Sequence, residues 1–152
     1  MDYEAKLKQY LHDHHIAGEH LHFEQSCHSV AEACQAVNAD PDDFVKSICF
    51  IDGDRLIVGI VKGEDRVSRT HVAAALSIAI PRIATPDEIL ERTTYICGGT
   101  PPFGYDAVFL IDERVLEKKI VYCGGGSEQS LLKIAPDEIL RVNKGRVVRI
   151  RK

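Results

Sequence analysis

Lys46 is the residue whose type and position point most directly to chemistry. It lies in the run Phe44-Val45-Lys46-Ser47-Ile48-Cys49-Phe50-Ile51, where strand alternation places it on one face with Phe44, Ile48 and Phe50. An ammonium among apolar neighbours loses hydration unless an anion or several acceptors replace the water. An anionic ligand is one such partner. The other reading is an edge-strand lysine whose stem covers apolar surface while its head reaches water. The segment alone leaves both open.

Two glycine segments come next. Cys97-Gly98-Gly99-Thr100-Pro101-Pro102-Phe103-Gly104 combines glycines, which let backbone approach a ligand closely, with prolines that stiffen the loop and donate no amide. Amides of Gly98, Gly99 or Thr100 held in fixed positions suit a developing oxyanion, as acyl transfer requires. A tight connection between a helix and a strand would use the same residues. Cys123-Gly124-Gly125-Gly126-Ser127 sets three consecutive glycines after a strand, which costs backbone entropy and implies a steric demand for missing side chains. Neither segment has the Gly-Lys-Ser/Thr ending of a P-loop or the G-x-G-x-x-G spacing of a dinucleotide site.

The cysteines, at 27, 34, 49, 97 and 123, form no C-x-x-C pair, and five is an odd number for a disulfide framework. They read as reduced thiols. Cys97 and Cys123 each precede a glycine cluster and are placed to line a pocket, without an identifiable base partner for a nucleophile. Seven histidines invite a metal reading at His12, His14 and His15, or at His20 and His22. No H-E-x-x-H or Cys-His zinc pattern appears, and His12 to His15 fall at a helix end, where cationic side chains complement the dipole. No metal or cofactor is expected.

The elements that must position these residues follow from periodicity and caps. Tyr3, Leu7, Tyr10 and Leu11 predict an amphipathic helix over 3–14, with Gly18 as its stop. A short strand over 20–24 follows, then Ser29 and Glu32 form a capping box for a helix reaching Val37, and Asp40-Pro41-Asp42-Asp43 opens one further turn. Residues 44–51 and 55–61, joined by Asp52-Gly53-Asp54, read as a hairpin. Residues 68–75 look helical, 78–83 strand-like, and Thr85-Pro86-Asp87-Glu88 starts a capped helix to Arg92. Strands are expected at 107–111, 119–123, 130–134 and 146–150, with a helical turn from Pro136. The order predicts an α+β fold: a single domain over 1–152 with a mixed, curved, barrel-like β-sheet flanked by helices.

Composition narrows the function classes. A chain of 152 residues, 45% hydrophobic and 28% charged, suits one soluble domain. No apolar run approaches the roughly 18 residues of a membrane span. The start lacks a basic region followed by an apolar one, so the cytoplasm is the expected compartment. The net charge of −4 argues against broad non-specific nucleic-acid binding, and DNA is not an expected partner. The tail from Lys144 to Lys152 carries five positive charges, enough for a few phosphate contacts, but its alternation reads as a solvated C-terminal strand.

Taken in order, Val45-Lys46-Ser47 before an apolar strand, Thr93-Thr94-Tyr95 leading into Gly98-Gly99-Thr100-Pro101-Pro102-Phe103-Gly104, and Gly124-Gly125-Gly126 before the strand with Leu131 and Leu132 resemble the YbaK and prolyl-tRNA synthetase-associated editing-domain family over nearly the whole chain. The resemblance implies a free-standing hydrolase that removes wrongly attached amino acids from tRNA, tRNA-Pro or a related one, with the 3′ acceptor end of an aminoacyl-tRNA as its partner and prolyl-tRNA synthetase as a further one. It assigns Lys46, Gly98 and Gly99 to catalysis. Ser47, Thr100, Pro101, Phe103, Cys123, Gly124 and Gly125 are assigned to substrate binding. Thr94 stands where the family often has glycine, and Cys123 where alanine or serine is frequent. No Ser-His-Asp or paired-carboxylate constellation is visible, which fits enzymes that use water or a substrate group as nucleophile. The alternatives are a noncatalytic RNA- or nucleotide-binding module using the same pocket, and a thiol redox protein using Cys97 and Cys123.

Overall fold

The computed structural model describes residues 1–27 and 29–152, the Val30 side chain excepted. Helix α1 (Tyr3–Asp13) starts at Asp2, whose carboxylate accepts the Ala5 amide at 2.9 Å, and it docks through buried Leu7 and Leu11. Burying each such leucine contributes about 1.5–3 kcal/mol. The helix is stopped by His15 in a left-handed conformation (φ 52°), so Gly18 begins β1 (Gly18–His22) instead of ending the helix. Ser29 accepts the Glu32 amide and caps α2 (Val30–Val37), which Asn38 ends in the left-handed region. Pro41–Asp43 is a 3₁₀ turn. Strands β2 (Val45–Asp52) and β3 (Arg55–Lys62) form the predicted hairpin.

Ser68 caps α3 (Arg69–Leu76). The strand expected over 78–83 contracts to β4 (Arg82–Ile83), because Pro81 has no amide to donate to a ladder. Thr85 and Glu88 form a reciprocal capping box for α4 (Pro86–Thr93), and Thr94 ends it at φ 67°. A left-handed Thr94 accounts physically for glycine being common at that place in the resembling family. After β5 (Val108–Ile111) comes an unanticipated 3₁₀ segment, Glu113–Glu117, capped by Asp112. Strands β6 (Val121–Gly124) and β7 (Ser130–Ile134) follow, and the turn from Pro136 extends into α5 (Pro136–Asn143). The last strand, β8 (Arg146–Val147), is shorter than expected. Beyond it the Ile150 amide leaves the ladder for the Asp112 carboxylate at 2.8 Å.

The α+β reading holds, with the strands divided between two sheets. Five strands run in the order β4-β2-β3-β5-β8, antiparallel where β2 meets β3 and β4, parallel where β5 meets β3 and β8. The other sheet, β1-β7-β6, is antiparallel. A single parallel bridge between Phe44 and Tyr122 joins the two, and the rings of those residues stack with centroids 5.2 Å apart. One apolar cluster, including Leu7, Cys49, Tyr95, Phe103 and Ile134, fills the space between the sheets and helices. A second, including Phe50, Ile57, Val72 and Ile150, lies on the opposite face of the larger sheet under α3. Among the described residues no helix is long and apolar enough to cross a membrane.

Candidate functional site: a gap along strand β2

β2 is paired with β3 along its whole length, but its other edge is shared. Phe44, just before the strand, meets Tyr122 of β6, and Phe50 and Ile51 at the far end meet β4. Residues 46–48 therefore have no strand partner on that side. The carbonyl of Cys49 accepts the Ala84 amide on this edge, whereas that of Phe44 accepts the Gly63 amide on the β3 side. Alternation then turns the Ser47 backbone towards the gap. A cavity of about 270 Å³ opens there, walled by Phe44, Lys46, Ser47, Ile89, Gly98, Thr100, Tyr122, Cys123, Gly124 and Leu131 among others.

Lys46 lines this cavity, half-buried, with its Nζ donating to the Gly63 carbonyl at 3.4 Å. Burial, with the nearby Arg66 guanidinium adding to it and Asp65 opposing, holds its ammonium below the usual lysine range. Asp65 is itself bound by Arg114 at 2.8 Å, so Lys46 has no carboxylate within ion-pair distance among the described residues. The apolar-face placement drawn from alternation is observed for two of its three neighbours: Lys46 shares an adjoining hollow with Ile48 and Phe50, whereas Phe44, just before the strand, packs in a separate cluster with Cys27, Ala33 and Leu131. Beside it, Ser47 Oγ is buried with no hydrogen-bond partner among the described residues. An unpaired buried hydroxyl costs about 1–3 kcal/mol, and this one belongs to a residue that lines the cavity.

The two glycine segments lie against each other, and their glycines divide into two kinds. Gly98 and Gly124 line the cavity, as does the buried Thr100, whose hydroxyl donates to the Ile96 carbonyl at 2.9 Å. Gly99 and Gly125 do not. The Gly99 amide donates to the Ile96 carbonyl at 3.0 Å, which removes it from the expected oxyanion set. A Cβ on Gly99 would stand 2.7 Å from the Gly126 carbonyl, and one on Gly125 2.6 Å from the Leu131 amide nitrogen. Both are packing glycines, and so is Gly124, which lines the cavity yet has no room for a Cβ against the Thr100 carbonyl. Pro101 and Phe103 are also placed outside the cavity: Pro101 supplies a carbonyl to the Tyr105 hydroxyl at 2.6 Å, and Phe103, 1% exposed, stacks on Tyr10. No hydrogen bond within the protein engages the Gly98 or Thr100 amide among the described residues, leaving two unspent donors beside the cavity.

All five cysteines are free. Cys123 is fully enclosed, its thiol pushed up by burial and donating to the Leu132 carbonyl at 3.5 Å. Burial and the neighbouring Cys97 push Cys49 to about 12. These are protonated thiols, poor redox partners and poor nucleophiles. His20 contacts the Gly125 carbonyl at 2.8 Å and His22 the Glu4 carboxylate at 2.9 Å, serving the loop and α1. His28, one of the seven histidines, lies outside the described residues.

Sequence reasoning did not assign Phe44, Tyr122, Ile89 or Leu131 to the site. Phe44 and Tyr122 become neighbours only through the bridge between sheets, which no local pattern encodes.

The model of the aminoacyl-tRNA editing domain matches residues 24–142. This chain belongs to the aminoacyl-tRNA editing domain family. The match spans α2 through most of α5, including every wall of the cavity. Within the family's reach, the chain is 26% identical over 120 residues to the uncharacterized protein YwhH of Bacillus subtilis, covering 77% of this chain and 76% of that one. It is 24% identical over 97 residues to the proline–tRNA ligase of Thermotoga neapolitana, but that alignment spans only 17% of the ligase. A solved structure described as a candidate trans-editing enzyme for prolyl-tRNA synthetase superposes with a TM-score of 0.91 at 25% identity, over 100% of this chain and 98% of that one. Editing-domain membership supports a role in tRNA editing.

Proposed function

We propose that this protein is a trans-acting deacylase that hydrolyses the ester of a mischarged aminoacyl-tRNA, tRNA-Pro or a related one, in the cytoplasm alongside prolyl-tRNA synthetase. The observation that carries the reading is the placement of Lys46 on the unpaired stretch of β2, in the wall of a cavity that Ser47, Gly98, Thr100 and Gly124 also line. An ammonium there, without a carboxylate of its own, suits the terminal phosphate or ribose of an acceptor end. The ester carbonyl then lies against the Gly98 and Thr100 amides, which stabilise negative charge as the tetrahedral intermediate forms. Ser47, which lines the same wall, is assigned to substrate binding, its hydroxyl meeting the substrate only once the wall opens around it. The apolar wall of Phe44, Ile89 and Leu131 takes the aminoacyl side chain. Rate comes from positioning and fixed dipoles, with water as nucleophile.

The test is a panel of alanyl, cysteinyl, seryl and prolyl esters of tRNA, incubated with substoichiometric protein. Turnover of at least one ester is expected, with Lys46→Ala reducing it about a hundredfold or more, the scale of losing one charge-stabilising donor. Tight tRNA binding without release of any amino acid would instead identify a noncatalytic RNA-binding module. An unaffected Lys46→Ala enzyme would remove the lysine from the mechanism.

A further inference from the structure

A second hollow, of about 430 Å³, adjoins the first and shares Lys46 and Ile48 with it. Its charged lining is entirely basic: Lys46, Arg66, Arg69 and Lys152. Among the described residues none of these four lies within ion-pair distance of a carboxylate, whereas Arg55, Lys62, Arg82, Arg114, Lys118, Arg141 and Arg151 all do. Among the described residues their side-chain hydrogen bonds go to carbonyls, Lys46 to Gly63 and Arg69 to Pro81 at 3.3 Å. A chain of net charge −4 has thus gathered four unneutralised cations around one concavity, an arrangement that repels itself until an anion enters. The rim adds Ile80 and Ile83, 57% and 60% exposed, among the few large apolar side chains turned to solvent.

We propose that this hollow takes the phosphodiester backbone of the single strand preceding the acylated nucleotide, with Arg66, Arg69 and Lys152 on successive phosphates and Ile80 and Ile83 against base faces. The proposal rests on the deacylase reading of the first cavity for its direction. Lys46, common to both hollows, marks where the strand passes from the second into the first. Three segments build the site: the loop entering α3 and that helix's first residue supply Arg66 and Arg69, the loop before β4 supplies Ile80, and the C-terminal segment supplies Lys152. That last segment is held in place by Asp112, which accepts the Ile150 and Arg151 amides at 2.8 and 3.0 Å.

The experiment measures binding of an uncharged RNA hairpin with an unpaired 3′ strand by fluorescence anisotropy across a salt series. Wild-type protein is compared with Arg66→Gln/Arg69→Gln and with Lys8→Gln/Lys133→Gln, which removes equal charge from α1 and β7. Each single-strand phosphate contact contributes about 0.7 to the slope of log K against log salt, so the arginine variant should lose about 1.4 of slope and about tenfold or more in affinity at low salt. The lysine variant should lose much less. Equal losses in both variants, no loss in the arginine variant, or no RNA binding by the wild type would overturn the proposal. So would complete displacement of the RNA by millimolar inorganic phosphate, which would mark a lone phosphate site. Because the RNA carries no ester, failure of the deacylation panel overturns the proposed reaction and leaves this result standing. An unchanged arginine variant in a protein that turns over esters overturns only the second hollow.

Discussion

The Gly126 amide donates to the Gly99 carbonyl at 2.8 Å, and this one bond clasps the two glycine segments that wall the cavity. The contact requires that neither segment carry a side chain there: a Cβ on Gly99 would stand 2.7 Å from both the carbonyl carbon and oxygen of Gly126. Backbone cannot step aside as a flexible side chain does. Gly99→Ala is expected to cost about 2–3 kcal/mol, within the range for overpacking, read from urea denaturation. Gly53→Ala gives the contrast. A Cβ on Gly53 meets nothing within 4 Å, though φ is +59°, so that substitution should cost only about 1 kcal/mol, from its left-handed backbone alone.

Ser47 offers a test in which stability and activity move in opposite directions. Its Oγ is buried without a partner among the described residues, a configuration that folding tolerates only at a cost. Ser47→Ala removes the unsatisfied group and should stabilise the protein by about 1 kcal/mol, seen as a higher Tm. If the hydroxyl serves the substrate, the same change lowers kcat/KM for the preferred ester by about tenfold. A variant that is both less stable and fully active would assign the hydroxyl no role in the cavity.

Asp112 governs the C-terminal segment, and its effect is pH-dependent. Burial alone would raise its carboxyl, but the backbone amides of Ile150, Arg151 and Arg114 and the Arg151 guanidinium outweigh burial and hold it below the usual range. A depressed folded-state value means that the stabilisation is fully present above the unfolded value of about 4 and is lost as pH falls through the folded value. Asp112→Asn should therefore cost about 2–4 kcal/mol at neutral pH, as loss of a buried charge partner does. It should also flatten the decline of stability below pH ~4. Denaturation midpoints of both proteins from neutral to acid pH check both expectations.

What the sequence made legible was local. Caps at Ser29 and Thr85, the hairpin turn at Gly53, and alternation around Lys46 all appear where short-range chemistry dictates. The resemblance brought Lys46, Ser47, Gly98, Thr100, Cys123 and Gly124 together, and the structure lines one cavity with all six. It also nominated Gly99 and Gly125, which lie outside the cavity, because sequence shows where a glycine stands but not what surrounds it; the missing side chains of Gly99, Gly124 and Gly125 all make room for backbone. The basic tail was misleading in the same way. Alternation suggested a solvated strand, yet Ile150 is fully buried and Arg151 is bound to Asp112 at 3.0 Å, because the segment's partner lies 38 residues upstream in sequence. Lys152 meets Arg66 through a direct long-range pairing as well, its amide donating to the Arg66 carbonyl at 2.9 Å beside the antiparallel bridge of Val67 with Arg151.

Cys123 tests how the cavity selects its acyl group. The residue is 2% exposed and lines the wall beside Gly124, so its sulfur occupies volume that a smaller side chain would cede to the substrate. Apolar pockets discriminate by about 1–3 kcal/mol per methylene. Cys123→Ala should therefore shift the ratio of kcat/KM between two esters differing by one methylene by about tenfold towards the larger, measured by competition in the same panel. Turnover should persist, because a thiol raised by burial and donating to the Leu132 carbonyl is no source of thiolate. If Cys123→Ala instead loses turnover on every ester while Cys123→Ser also fails to restore it and both variants melt with the wild type, the sulfur itself takes part in the chemistry and water is not the nucleophile.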